Sequence, residues 1–216
     1  MTTSKKCDDA TNAEILSCSD KDIIKSELEM KYPGAINHVK AILKLIGDDP
    51  NREGLRDTPY RVVKSWLEIY SGYDEDESKF KTFFEENIGD QTDEIVMCKD
   101  ISFYSVCEHH MLPFIGICHI GYLPSKRVIG VSKLVRLVEF FSRRLQIQEK
   151  LCSQVADKLV EILEPQGVGV IMEAQHLCMT SRGVKNYTAK MVTSAMRGKF
   201  KTQSNTRSEF LSLINI

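Results

Sequence analysis

The sequence predicts an α+β domain with a mainly antiparallel sheet, behind an N-terminal helical stretch. Three observations carry this reading. Apolar residues recur at three- and four-residue steps after Pro33, strand-like runs begin at Ile95, and two amphipathic stretches separate one pair of strand candidates from another. Hairpin-like pairs that flank helices favour antiparallel neighbours over parallel ones.

The elements follow in order. Residues 1–32 are polar around Ile23, Ile24, Leu28 and Met30, and read as an arm, mobile or loosely helical. A helical region spans 33–90. In it Ile36, Val39, Leu43 and Ile46 form a stripe that Gly47 ends, and a second helix opens at Thr58-Pro59 with Thr58 as cap. That helix runs through Val62, Val63, Trp66, Leu67 and Tyr70 to Gly72, and Tyr73 to Glu77 reads as a solvated acidic loop.

The third division, 91–216, holds the sheet. Ile95–Cys98, Ile101–Val106 and Gly116–Leu123 read as strands, punctuated by Pro113 and Pro124. One helix then aligns Leu134, Leu137, Val138, Phe141 and Leu145, and a second aligns Leu151, Val155, Leu159 and Ile162. A turn at Glu164–Gly167 leads to strands at Val168–Met179 and Val192–Phe200. Thr206 and Glu209 have capping-box spacing for a last short helix.

Composition narrows the function. With 42% hydrophobic and 27% charged residues over 216 positions, the chain can bury a conventional core. A net charge of -1 removes the argument for general nucleic-acid binding, and no apolar run approaches the roughly 20 residues of a membrane span. The first residues lack a signal-peptide pattern, so the expected location is the cytosol. Cysteines 7, 18, 98, 107, 118, 152 and 178 include no C-x-x-C pair, so neither a disulfide framework nor a zinc ribbon is expected.

Cys107-Glu108-His109-His110 is the most informative segment, because Cys and His three apart can meet on one ion from a tight turn. Spacing leaves open whether His109 or His110 is the ligand. His176 and Cys178 would share a face of a strand and supply the remainder, giving Cys, His and Cys. A zinc with three protein ligands keeps a position for water and makes hydroxide available near neutrality. Histidines left over beside it suit proton transfer. The sequence lacks H-E-x-x-H and the deaminase pattern, and Tyr122 stands where a P-loop spaced on Gly116 and Gly121 needs lysine. His119 reads as a hydrogen-bonded structural histidine, His38 as helix surface, and Cys118 and Cys152 as packing residues.

Several ordered motifs together resemble GTP cyclohydrolase I: Ser105-Val106-Cys107-Glu108-His109-His110-Met111-Leu112-Pro113, Arg144 to Glu149, and His176-Leu177-Cys178-Met179. Asn51 to Leu55, Asp57-Thr58-Pro59, Val128 to Leu134 and Thr206 to Leu211 extend the likeness over about residues 33 to 216, with Lys185 to Met191 departing from it. The resemblance implies a tunnelling fold, in which sheets of several subunits close a barrel and active sites form between subunits, as a homo-oligomer and expectedly a decamer. It implies Zn2+ on Cys107, His110 and Cys178. GTP would be the substrate, converted to 7,8-dihydroneopterin triphosphate with release of formate. Hydroxide on the zinc would attack C8, His109 would protonate N7, His176 would make a second proton transfer, and Ser132 would act near the ribose.

Substrate contacts are implied in the same way. Glu149, beside Gln148, would accept the two adjacent donors of guanine, and Lys133, Arg136 and Arg182 would hold the triphosphate, with Arg61 and Lys64 as further cations. A non-catalytic zinc-binding relative would be expected to lack a histidine or the carboxylate, and His109, His176 and Glu149 are all present. A tunnelling-fold enzyme for a reduced pterin or deazaguanine would not need both the zinc set and the cations.

Overall fold

The computed structural model describes residues 18–80, 83–85 and 94–215, and the chain divides into two units that meet in sequence between Trp66 and Leu67. Residues 1–17 of the expected arm, Cys7 included, lie outside the described residues. The first unit is helical, with α1 (Cys18–Lys31), α2 (Pro33–Leu45) and most of α3 (Thr58–Ile69). Leu28, Ile36, Val39 and Val63 form its shared core. Pro33 suits the start of α2 because a helix leaves its first N–H groups unpaired anyway. The predicted stripe holds to Leu43, whereas Ile46 falls beyond the helix and is exposed, just before Gly47 turns left-handed at φ 92°.

Helix α3 opens where the Asp57 carbonyl accepts the Arg61 N–H at 3.1 Å, so Thr58 is its first helical residue and not the cap the sequence suggested. The Asp57 carboxylate is occupied by Lys25 at 2.8 Å, and that bond holds it below the usual carboxylate range.

The second unit runs β1 (Phe83–Glu85), β2 (Val96–Cys107), β3 (Pro113–Leu123), β4 (Arg127–Ile129), α4 (Val131–Ser142), β5 (Leu145–Gln146), α5 (Gln148–Leu163), β6 (Gly167–His176), α6 (Leu177–Thr180), β7 (Met191–Gly198), α7 (Lys199–Thr202) and α8 (Ser204–Ile214). Its main sheet has the order β5-β2-β3-β6-β7, antiparallel except where β5 joins β2 through two parallel pairs. Strands β1 and β4 form a separate antiparallel pair.

Five boundaries differ from the sequence reading, each for a local reason. The two strand candidates at 95–106 are one strand, bulged between Cys98 and Ile101, with Asp100 left-handed at φ 60°. Leu145 leaves its helix for the sheet, because the buried Gln146 amide donates to the Phe141 carbonyl in the last turn of α4 and draws the chain back. Strand β6 stops at His176. The next antiparallel pair would set Leu177 against Pro113, which has no N–H to give, and Cys178 therefore sits on the helical turn α6, not on a strand face with His176. Strand β7 ends at Gly198, whose φ of 55° turns the chain into α7. Helix α8 begins at Ser204, and the Thr206 hydroxyl bonds the Gln203 side chain instead of capping.

Helices α4 and α5 cover one sheet face. Leu137, Leu151, Val155 and Leu159 meet Phe114, Cys118, Ile120, Val168, Val170 and Met172 there. Cys118 and Cys152 pack in this core, and burial pushes the Cys152 thiol up to about 11. The opposite face takes Phe200 and Phe210 over Gly121 and Gly169, which are paired in register. A Cβ at Gly169 would come within 2.6 Å of the Phe200 ring, so the glycines make the room these rings fill. At one end of the sheet lie the end of β2, the start of β3 and the end of β6, and the candidate site stands there.

Candidate metal centre

The chain reverses tightly between β2 and β3. Cys107 N–H donates to the Leu112 carbonyl at 2.9 Å, the Cys107 carbonyl accepts Met111 N–H at 2.9 Å, and Met111 is left-handed at φ 52°. This turn sets the His109 and His110 rings edge to face, with centroids 6.3 Å apart and planes at 74°. The loop is held from behind, since Gln146 pairs with Cys107 and its carbonyl accepts Glu108 N–H at 3.0 Å. Arg144 secures the approach to that contact: its guanidinium lies 4.3 Å over the Phe140 ring and donates to the Gly72 carbonyl. A Cβ on Gly72 would meet the Phe140 carbonyl at 2.4 Å, so only glycine fits.

The ligand atoms of Cys107, His110 and Cys178 all lie within 4.8 Å of one another. Cys107 Sγ and His110 Nδ1 are 3.8 Å apart, close to the roughly 3.6 Å that tetrahedral zinc bond lengths require. Among the described residues this is the group of three such side chains that could hold a metal ion, and it contains His110 and not His109. Burial, with Cys107 close by, pushes the Cys178 thiol up while Arg182 draws it down, so a cation between the sulfurs would relieve the thiolate form. His109 stays exposed, 3.9 Å from both Cys107 Sγ and Glu108 Oε1.

His176, at the last position of β6, stacks on Phe114 with centroids 4.5 Å apart and planes 3° from parallel. Burial lowers its pKa and the nearby Glu149 carboxylate opposes that shift. Glu149 itself is exposed in the first turn of α5. Its neighbour Gln148 is buried, and its amide is committed to protein partners, so its side chain is not open to substrate as the sequence reading expected.

Three further predicted residues, all on α4, are not brought to this end. Ser132, Lys133 and Arg136 lie in the first turns of α4, just after Ile129, whose N–H reaches the Tyr122 hydroxyl at the far end of β3. The C-terminus of α4 instead leads to Gln146 beside Cys107, and a 12-residue helix is about 18 Å long. Arg61 and Lys64 are exposed on α3, in the first unit. Sequence reasoning missed the buried Gln146, the burial of Gln148 and the Phe114 stack, because glutamine is ordinarily a surface residue and nothing in its spacing marks burial.

The chain matches the GTP cyclohydrolase I family over residues 35–215. It is 54% identical over 177 residues to a GTP cyclohydrolase 1 of Wolinella succinogenes, covering 82% of this chain and 93% of that protein. Proteins of the same name from Coxiella burnetii and Geobacillus kaustophilus are each 52% identical, over 82% of this chain and 96% and 93% of their own lengths. Among solved structures, an archaeosine synthase QueF-like protein in the apo form aligns with 17% identity and a TM-score of 0.42, over 50% of this chain and 97% of that one.

Proposed function

The chain belongs to the GTP cyclohydrolase I family, and from that premise we propose how its residues carry out the family's reaction. That reaction converts GTP and water to 7,8-dihydroneopterin triphosphate with release of formate, the first step of pterin and folate biosynthesis. The convergence of Cys107, His110 and Cys178 beside two further histidines is the observation that carries the proposal. The metal is zinc, since two thiolates and an imidazole are the donors it favours and three ligands leave one position open. Zinc held this way supplies Lewis acidity and lowers the pKa of the water it binds toward about 7.

The chain's own residues do the rest. His109 gives a proton to N7 as the imidazole ring of guanine opens, and His176 makes the second proton transfer before formate leaves. The Glu149 carboxylate accepts the N1–H and 2-amino donors of guanine together. Ser132 acts at the ribose, and Lys133, Arg136 and Arg182, with Arg61 and Lys64, neutralise the triphosphate.

Because Ser132, Lys133 and Arg136 lie at the far end of the sheet from Cys107, these three residues of one chain serve the metal centre of another. The active form is then a homo-oligomer, a decamer in which tunnelling-fold sheets close a barrel. Residues 91–216 are its catalytic domain, behind a helical region at 33–90 and an arm at 1–32. No helix among the described residues is long and apolar enough to cross a membrane, and the enzyme works in the cytosol. The test is incubation of zinc-loaded protein with GTP while formate and a fluorescent oxidised pterin are followed. Both should appear, and absence of formate at every zinc loading would remove the reading.

A further inference from the structure

Gln148 is 1% exposed, and its amide makes an unusually complete set of contacts. Nε2 lies 3.0 Å from the carbonyl oxygens of both Met172 and Met191, and 3.2 Å from the Thr193 hydroxyl. Carbonyl oxygens only accept, so the amide atom between them has to be the nitrogen with its two hydrogens. Turning the amide over would set an oxygen against two others and leave all three unpaired in the interior. Oε1 is thereby fixed as an acceptor, 2.9 Å from Nε2 of His176. An acceptor at that distance requires a hydrogen on Nε2 whatever the charge of the ring.

We infer that Gln148 is a positioning residue that keeps the His176 hydrogen on Nε2, so that Nδ1 is the ring atom that takes up and gives a proton in the reaction. The inference rests on the proposed role of His176. A second contact works with the first: the Phe114 ring, stacked 4.5 Å away, holds the imidazole plane. Turning the ring about its stem would put a carbon against Oε1 and lose the hydrogen bond. A carboxylate could not replace this amide, because it would face the Met172 and Met191 carbonyls with an oxygen.

Nitrogen-15 spectra of zinc-loaded protein labelled at histidine test this directly, with His176 identified by the signal missing from His176→Gln. The neutral ring should be the Nε2–H tautomer, and an Nδ1–H tautomer would overturn the inference. In Gln148→Leu, zinc content and KM for GTP should stay within about two-fold of the parent while kcat falls. The fall should be smaller than the roughly 100- to 10,000-fold cost of losing a proton-transfer group outright. A raised KM with kcat unchanged would make Gln148 a substrate contact and refute the positioning role. Should that variant fail to fold, the spectrum of the parent protein still decides. A parent that shows the Nε2–H tautomer yet releases no formate would sink the proposed reaction and leave the placement of the hydrogen standing.

Discussion

Two histidines adjacent in sequence have different parts in the proposal, because His110 groups with Cys107 and Cys178 while His109 stays outside that group. Their replacement should separate metal binding from proton transfer. His109→Ala should keep about one zinc per chain and slow turnover by roughly 100- to 10,000-fold. His110→Ala and Cys178→Ala should lose both zinc and activity, since two ligands are too few to hold the ion. Metal analysis beside formate release checks this, and a Cys178→Ala protein that retains full zinc would show that the ligand set is wrong. Glu149 carries a different burden in the proposal: if its carboxylate accepts the two guanine donors, its loss leaves them unpaired. Glu149→Ala should weaken GTP binding by about 1–3 kcal/mol, measured by calorimetry. Unchanged affinity would move the guanine pocket elsewhere.

Strand β2 keeps a bulge whose geometry depends on one ring nitrogen. Asp100 N–H donates to Nδ1 of the buried His119 at 3.2 Å, so that nitrogen has to stay unprotonated for the left-handed residue to be satisfied. Burial lowers the His119 pKa from its ordinary 6.5, with Asp100 and Glu173 opposing and Lys99 reinforcing the shift. Above the unfolded value both states are neutral and the residue adds nothing to the pH dependence. As pH falls through it, the unfolded chain takes the proton first and stability is lost, by at most about 1.4 kcal/mol per unit. Urea unfolding at about pH 7.5 and about pH 5.5 should therefore show a smaller acid loss in His119→Gln than in the parent, and equal losses would dismiss the account. On the same face of the sheet, Gly169→Ala should cost about 1–3 kcal/mol in the same assay by crowding Phe200 and Phe210. Elements like α5, whose Leu151, Val155 and Leu159 repeat with the helix, were legible because burial follows the element's own period. Strand β5 and turn α6 were not, since a two-residue strand and a four-residue helix exist only through partners, here Val106–Cys107 and the end of β6 at Pro113.

The candidate site was readable as a set of residue types before it was readable as a place. Two cysteines and a histidine announce a metal by chemistry, with His110 chosen over His109 by resemblance alone, but no spacing rule says that Ser132 and Arg136 begin a helix whose other end leads to the Cys107 loop. That arrangement makes a prediction which a single-chain site cannot share. Let one variant, Cys178→Ala, lose the metal half, and let a second, Lys133→Ala with Arg136→Ala, lose the cation half. Each alone should be inactive or nearly so, and light scattering should show both as oligomers larger than a dimer. If each active site takes its metal centre from one chain and its cations from another, assemblies formed from an equal mixture contain some sites built from two intact halves. Random assembly makes that about one quarter of all sites, so co-expressed or co-refolded mixtures should regain about that share of parental turnover. If both halves came from the same chain, every site in the mixture would keep one defect and no activity would return. Mixing the two purified proteins without dissociating them supplies the control, since intact oligomers that do not exchange chains should stay inactive.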